Sequence, residues 1–191
     1  MENSHFNVAP ETPIERTFVT YVEDKPGVLN RVASLFRRRN FNIESLTVGH
    51  TDQPGVSCMT IVTNVDEYTA RRVEGNLYKL VNVLRVEEVT HVPTVMRDLA
   101  LIKVRADAET RTQVLQICDV FRARVVDVTQ DSLIIESTGT EDKIDGLVQV
   151  LTSFGIIELV RTGRVAMTRG PQSPTIHPEF VHARVPEDVV T

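Results

Sequence analysis

An internal repeat is the feature that most restricts how this chain of 191 residues can fold. A shift of 85 in the numbering places a run of apolar and basic positions on a similar run. The matched pairs are Leu29 and Val114, Val32 and Ile117, Leu35 and Val120, Phe36 and Phe121, Arg37 and Arg122, and Arg39 and Arg124. Self-similarity at a fixed period indicates copies of one supersecondary unit. The repeat therefore predicts two small domains, and because domains of about 80 residues bury little surface, we expect oligomerisation.

Each copy has strand-like and helix-like runs in the order βαββαβ. In the first copy, strands are expected at residues 17–22, 42–48, 56–64 and 83–89, and helices at 28–36 and 70–80. In the second copy, strands are expected at 99–104, 125–129, 133–137 and within 156–167, and helices at 109–121 and 141–154. This order predicts antiparallel sheets with helices on one face. The uncovered face or a sheet edge would be free for another copy, since both alternating sets of strand 56–64 are apolar.

Domain boundaries are expected where these periodic patterns stop. Residues 1–15 are interpreted as a flexible lead-in and residues 170–191 as a flexible tail, because neither contains a periodic apolar pattern. The two domains are then residues 16–90 and 98–169, and a short linker at 91–97 contains a proline.

The charge balance argues against nucleic acid as a partner. With a net charge of −5 and a pI near 5.6, the chain lacks the excess positive charge that sequence-independent binding requires. The one dense basic run, Arg37-Arg38-Arg39, is interpreted as a solvated helix end, with a phosphate site as the alternative. No stretch reaches the roughly 18 apolar residues of a membrane span. Cys58 and Cys118 are expected to be buried free thiols, which favours the cytoplasm or an organellar stroma.

The turn Asp24-Lys25-Pro26-Gly27 occurs in only one of the two copies. The residues opposite it in the second copy are Glu109, Arg111 and Thr112. Pro26 suits the first turn of a helix, and Gly27 lets a ligand approach the unpaired N–H groups that make a helix start a receptor for a carboxylate. Asp24 and Asn42 offer oxygens for an ammonium group, so the turn is interpreted as an amino-acid site. The alternative is ordinary helix-entry chemistry.

Other kinds of site have little support in the sequence. The five histidines are scattered, so no metal site is predicted. No phosphate-binding glycine loop is present, and no serine has a nearby histidine as a base, so no catalytic residue is predicted. The βαββαβ order also suits an RNA-binding domain, but such domains stack bases on strand aromatics. The third strand has Cys58, Met59 and Ile61 instead.

Several motifs carry a family resemblance. The segment Val22-Glu23-Asp24-Lys25-Pro26-Gly27-Val28-Leu29 is followed by the specific run Asn42-Ile43-Glu44-Ser45-Leu46. The later motifs are Met59-Thr60-Ile61-Val62, Lys79-Leu80-Val81-Asn82-Val83-Leu84, Ala100-Leu101-Ile102-Lys103-Val104 and Arg161-Thr162-Gly163. Over residues 16–170 the chain resembles the regulatory small-subunit family of acetolactate synthase, also called acetohydroxyacid synthase, whose N-terminal part is an ACT domain.

The resemblance implies an α+β fold of two tandem ferredoxin-like βαββαβ domains, an N-terminal ACT domain and a C-terminal small-subunit domain. It implies a non-catalytic regulator in valine, leucine and isoleucine biosynthesis. Such a chain forms a homodimer through its ACT domains, activates a catalytic large subunit, and confers feedback inhibition by valine or a related branched-chain amino acid. No cofactor is expected in this chain, whereas thiamine diphosphate, Mg²⁺ and FAD are expected in the catalytic partner.

By position, the resemblance assigns the effector contacts to two chains. The residues are Asp24, Gly27, Val28 and Leu29 of one chain and Asn42 and Ile43 of its neighbour. The hairpin connection at 50–55 is a candidate partner-facing surface. The alternative function is a stand-alone amino-acid-sensing ACT module or scaffold that acts on another partner. An independent enzyme is not predicted, because no acid, base, nucleophile and cofactor loop converge.

Overall fold

The structure is a computed structural model that describes residues 12–171. Most of the predicted lead-in and nearly all of the predicted tail, with His5, His177 and His182, lie outside the described residues. The chain divides into two compact units between Thr94 and Val95, and the described residues from Thr168 onward are grouped with the first unit.

The first unit has four strands and two helices in the predicted order. They are β1 (Ile14–Glu23), α1 (Val28–Arg39), β2 (Ser45–His50), β3 (Val56–Val65), α2 (Glu67–Leu77) and β4 (Val83–Glu88). The strands form one sheet in the order β2-β3-β1-β4, and each neighbouring pair is antiparallel. Phe18 of β1 and Ile61 of β3 are register partners and pack in one core with Val32 of α1 and Val73 of α2. Both helices therefore cover the same face of the sheet.

The second unit repeats this architecture with one added strand. Its elements are β5 (Thr94–Arg105), α3 (Arg111–Phe121), β6 (Arg124–Val128), β7 (Ser132–Gly139), α4 (Glu141–Thr152), β8 (Ile156–Arg161) and β9 (Val165–Thr168). The sheet order is β6-β7-β5-β8, and β9 also pairs with β5. The predicted α+β fold of two tandem ferredoxin-like domains is thus confirmed.

The start of β5 corrects the predicted linker. β5 begins at Thr94, so residues 94–97 of the predicted linker belong to a strand, and residues 89–93 connect β4 to β5. The physical reason is that β9 supplies β5 with a further pairing partner. Sequence patterns placed β8 and β9 in a single region and did not reveal that partner.

The two faces of β3 are both buried, as its sequence predicts. Ile61 lies in the core beneath the helices, whereas Val62 lies on the opposite face beside Thr17 of β1. On this opposite face Val19, Thr60 and Val62 are buried, whereas Cys58 is only half-buried. The expectation that the uncovered face or an edge receives another copy stays a prediction. At one edge of the sheet, β2 pairs only with β3 among the described strands.

The repeat is real, but its period differs from the predicted one. In α1 and α3, the buried side chains and the left-handed C-cap residues occupy matching positions. The pairs are Val32 and Val114, Phe36 and Cys118, and Asn40 and Arg122, each 82 residues apart. The predicted pair of Leu35 and Val120 fails, since Leu35 is buried and Val120 is 80% exposed. A shift of three residues is nearly one helical turn, so apolar spacing alone did not reveal the error.

The two cysteines are free thiols, as predicted. Cys118 is buried, but Cys58 is only half-buried, on the face of β3 that the helices do not cover. Burial is nevertheless the main reason that the pKa of the Cys58 thiol is raised to about 11. This thiol is protonated at neutral pH and is a poor nucleophile.

The start of α2 provides a prediction about stability. Asp66 is the N-cap residue, and its carboxylate accepts a hydrogen bond from the Thr69 N–H at 2.6 Å. This bond lowers the pKa of Asp66 from its ordinary value of 3.8. The folded state then binds the proton more weakly than the unfolded state. The contribution to stability is therefore complete above pH 3.8 and is lost as the pH falls through the folded-state pKa.

We expect Asp66→Ala to lower the melting temperature at pH 7 and to have much less effect near pH 2. Thermal melts followed by circular dichroism at the two pH values measure the difference. Asp66→Asn is the matched control, because Asn is an equally good N-cap without a titratable carboxylate. An equal loss for Asp66→Ala at both pH values would show that the carboxylate charge is not responsible.

Candidate functional site

The predicted turn forms an open helix start. Gly27 is the N-cap of α1 and has φ 84°, a left-handed conformation that favours glycine. A Cβ built on Gly27 would meet no atom within 4 Å, so the space beside the backbone is open. Pro26 lies one residue before the N-cap, not in the first helical turn as the sequence suggested. Its fixed φ helps to shape the turn that precedes the helix.

Backbone N–H groups at this helix start lack partners. Within the described residues, the N–H groups of Gly27, Leu29 and Asn30 donate no hydrogen bond. The N–H of Val28 makes a long bond of 3.3 Å to the Lys25 carbonyl, and that of Arg31 donates to Gly27 at 3.0 Å. No side chain caps α1, and its first turn has no acidic residue. Free donors together with the positive end of the helix dipole make this turn a receptor for an anion.

Asp24 adds a carboxylate beside these donors. It lies between β1 and the helix start, and its side chain is 46% exposed. Its N–H donates to the Gly55 carbonyl at 2.8 Å, and its Oδ2 lies 3.3 Å from His50 Nδ1. The turn is therefore tied to the β2–β3 hairpin at two points. His50 was not among the predicted site residues. The sequence signal that could have revealed His50 is the antiparallel pairing expected for strands 42–48 and 56–64, because such pairing brings both ends of the hairpin connection close together.

Asn42 and Ile43 precede the edge strand and do not belong to it, since β2 begins at Ser45. The prediction of a strand from residue 42 is wrong, because the chain leaves α1 through the left-handed Asn40 and then turns. Thr63 fixes this segment by donating its hydroxyl to the Asn42 carbonyl at 2.6 Å. The exposed Asn42 amide donates to the Glu44 carboxylate at 2.6 Å, and Ile43 packs against the core.

The two sets of predicted contacts lie at opposite ends of α1. Asp24, Gly27, Val28 and Leu29 are at its start, whereas Asn42 and Ile43 follow its end. A helix of 12 residues is about 18 Å long. One chain therefore does not bring the two sets together. The side chain of Val28 is also buried in the core, so this residue can offer a ligand only its backbone.

The turn that leads into α3 in the second unit is closed by its own side chains, although no described side chain caps α3 itself. Asp107 Oδ1 accepts hydrogen bonds from the N–H groups of Glu109 and Thr110, at 3.1 and 2.9 Å. The hydrogen bond from the Thr110 hydroxyl, and after it these backbone bonds, lower the pKa of Asp107. Arg111 spans from the helix to the carbonyls of Thr129 and Gln130, at 2.6 Å each. A protein carboxylate thus accepts hydrogen bonds from N–H groups just before α3, where the described part of the first unit leaves the N–H of Gly27 free.

Residues 12–171 contain neither a metal-binding cluster nor a membrane-spanning helix. No group of three or more His, Cys, Asp or Glu side chains is arranged to hold a metal ion. None of the described helices is long and apolar enough to cross a membrane.

Family models match both units of the chain. The model of the AHAS small subunit-like ACT domain matches residues 18–85, and a model described as the small subunit of acetolactate synthase matches residues 97–170. The acetolactate synthase small subunit of Mycolicibacterium smegmatis is 50% identical over 156 residues, covering 82% of this chain and 92% of that protein. The chain belongs to the acetolactate synthase small-subunit family.

Other members of the family show the same extent of similarity. The probable acetolactate synthase small subunit of Archaeoglobus fulgidus is 49% identical over 157 residues, covering 82% of this chain and 98% of that protein. The crystal structure of the acetolactate synthase small subunit from Thermotoga maritima superposes with a TM-score of 0.78 at 39% identity. It covers 83% of this chain and 99% of that one. The family membership predicted from sequence motifs is confirmed, and it implies a catalytic large-subunit partner.

Proposed function

We propose that this small subunit activates the thiamine-diphosphate-dependent catalytic subunit of acetolactate synthase and makes it sensitive to feedback inhibition by valine or a related branched-chain amino acid. Membership of the acetolactate synthase small-subunit family supports the catalytic large subunit as the partner. The observation that carries the effector site is the open helix start at Gly27. In the second unit, the turn before the helix is instead held by the Asp107 carboxylate.

The chemistry of the turn fits both ends of a free amino acid. The ligand carboxylate would accept hydrogen bonds from the free N–H groups of Gly27 and Leu29. Its ammonium group would pair with the exposed carboxylate of Asp24. Leu29 has a side chain that is 45% exposed, and this apolar surface would contact an aliphatic ligand side chain. The turn therefore selects a small amino acid with a branched aliphatic side chain.

A homodimer would complete the site. Because β2 is a sheet edge, a second copy can pair along it and bring its own Asn42 and Ile43 toward the first copy's helix start. The effector would then bind between two chains and favour one arrangement of the dimer. It can change activity only through a difference in its affinity for the two arrangements.

The catalytic chemistry is assigned to the partner. Thiamine diphosphate, Mg²⁺ and FAD would bind there, and this chain would act without a cofactor of its own in the cytoplasm. The runner-up function is a stand-alone amino-acid-sensing module or scaffold with another partner. Co-purification of this chain with the catalytic subunit would favour the regulatory-subunit function over the stand-alone module.

Mixing the purified chain with the catalytic subunit from the same source tests the proposal. We expect acetolactate formation from pyruvate to rise as the chain is added and to fall again as valine is titrated in. Calorimetric titration of the chain with valine, leucine and isoleucine would rank the effectors. If the catalytic subunit gains no activity and forms no complex, the proposed function is wrong. If activation occurs without any effector response, only the effector site is wrong.

A further inference from the structure

The exposed face of α1 has a concentrated positive charge. α1 contains Arg31, Arg37, Arg38 and Arg39 and no acidic residue, and all four arginines are exposed. Elsewhere in the described chain, some arginines lie within 4 Å of a carboxylate and others do not. Those that do are Arg16, Arg71, Arg85, Arg124, Arg161 and Arg164. None of the four α1 arginines has such a partner within the part of the chain that the structure describes.

Arg72 of α2 extends this positive surface. Its guanidinium carbon lies 5.7 Å from the ring centroid of Tyr68 and 6.0 Å from that of Phe41. Phe41 follows the end of α1 and donates its N–H to the Phe36 carbonyl at 3.0 Å, so Arg72 is adjacent to the last turn of α1. Aromatic rings orient a guanidinium without neutralising it. We call Arg31, Arg37, Arg38, Arg39 and Arg72 the arginine surface.

Helix stability does not account for the whole arginine surface. Cations in the last turn of a helix complement its dipole, which explains Arg37, Arg38 and Arg39. Arg31 is the fourth residue of α1, near the positive end of the dipole, where a cation is unfavourable. The whole chain also has a net charge of −5, and surfaces usually intersperse both signs. Unneutralised arginines grouped on α1 and its neighbour α2 are complementary to an acidic protein surface.

We propose that the arginine surface docks on an acidic surface of the catalytic subunit of acetolactate synthase. The inference rests on the proposed function, which supplies the partner. α1 begins at the effector turn and ends in the arginine surface, so one rigid helix of 12 residues carries both. An effector bound at Gly27 would therefore contact the same element that holds the catalytic subunit. Effector binding and docking become coupled through the position of α1.

The test compares two double variants in assembly with the catalytic subunit from the same source. Arg37→Gln/Arg38→Gln removes two charges of the arginine surface. Arg97→Gln/Arg122→Gln removes two exposed charges elsewhere that have no described carboxylate within 4 Å. Sedimentation velocity at several salt concentrations measures the affinity. We expect the first variant to bind about tenfold more weakly at low salt and with a smaller salt dependence, since each exposed charge contact contributes up to about fivefold. The control should assemble like the unmodified chain.

Circular dichroism and calorimetry with valine establish that both variants fold and bind effector. Unchanged assembly of Arg37→Gln/Arg38→Gln, while the unmodified chain assembles, overturns the docking surface and leaves the proposed function standing. If both double variants weaken assembly equally, the effect comes from net charge, and the proposed docking surface is again overturned. If the unmodified chain does not assemble with the catalytic subunit at all, both the docking surface and the proposed function are wrong. Calorimetry with inorganic phosphate tests a different ligand for the arginine surface. If the unmodified chain and the control bind phosphate, Arg37→Gln/Arg38→Gln does not, and assembly is unchanged, then the surface binds a phosphate ligand and not the catalytic subunit.

Discussion

Gly27→Asp is expected to abolish valine binding while leaving the fold intact. The new carboxylate would lie beside the free N–H groups of the α1 start and satisfy them from within the chain, much as Asp107 satisfies the N–H groups of the turn before α3. It would also repel the ligand carboxylate. Two like charges about 4 Å apart near a protein surface repel by about 4 kcal/mol, so an affinity loss of about 100-fold or more is expected. Isothermal titration calorimetry with valine measures it.

Gly27→Asn is the matched control for this prediction. Asn has nearly the same size as Asp and tolerates the left-handed φ of 84° equally well. The open space around the Gly27 Cβ position accepts either side chain. Asn can also satisfy the free N–H groups, so it should weaken valine binding less than Asp, by an amount that reports bulk and capping without charge. Valine sensitivity retained in Gly27→Asp would show that the effector binds elsewhere, and an equal loss in both variants would show that the added charge is not responsible.

The sequence predicted the element order of both units because each strand and helix has a strong period of its own. Helix α1 was expected at 28–36 and extends to Arg39. What the sequence did not reveal was pairing between distant segments. The residues beyond 161 contain a separate short strand, β9, that pairs with β5, and this pairing turned an expected linker into the start of β5. The repeat offset was wrong for a related reason, since a shift of about one helical turn preserves the apolar period.

The candidate site was predicted from local chemistry and was incomplete where it depended on tertiary contacts. Gly27 and the helix start were visible because glycine next to proline is a local signal. The contact of Asp24 with His50 was not visible, because it depends on how the hairpin folds back beside β1. The burial of Val28 was likewise decided by the orientation of α1 on the sheet. The effector assignment of Asp24, Gly27, Val28, Leu29, Asn42 and Ile43 stays a prediction.

Arg161→Met is expected to destabilise the second unit by about 2 to 4 kcal/mol, since breaking a buried ion pair leaves an uncompensated charge. Arg161 donates from Nε and Nη2 to Asp98 Oδ2, at 3.0 and 2.7 Å, and from Nη1 to Asp145 at 2.8 Å. The side chain of Asp98 is 8% exposed and would lose its charged partner between β5 and β8. Met fills a similar volume, so the loss reports the missing charge. Urea unfolding followed by circular dichroism measures the free energy of unfolding.

The same sheet offers an exposed ion pair as a matched control. Arg124 lies 2.9 Å from Glu136, but its side chain is 74% exposed, so Arg124→Met should cost less than about 1 kcal/mol. The double variant Asp98→Asn/Arg161→Met should recover part of the loss, because no unpaired charge remains buried. A loss in Arg161→Met no larger than that in Arg124→Met would contradict the prediction. In that case the Asp98 carboxylate must find compensation from water or a neighbouring group, and the pair would orient β5 and β8 without stabilising them.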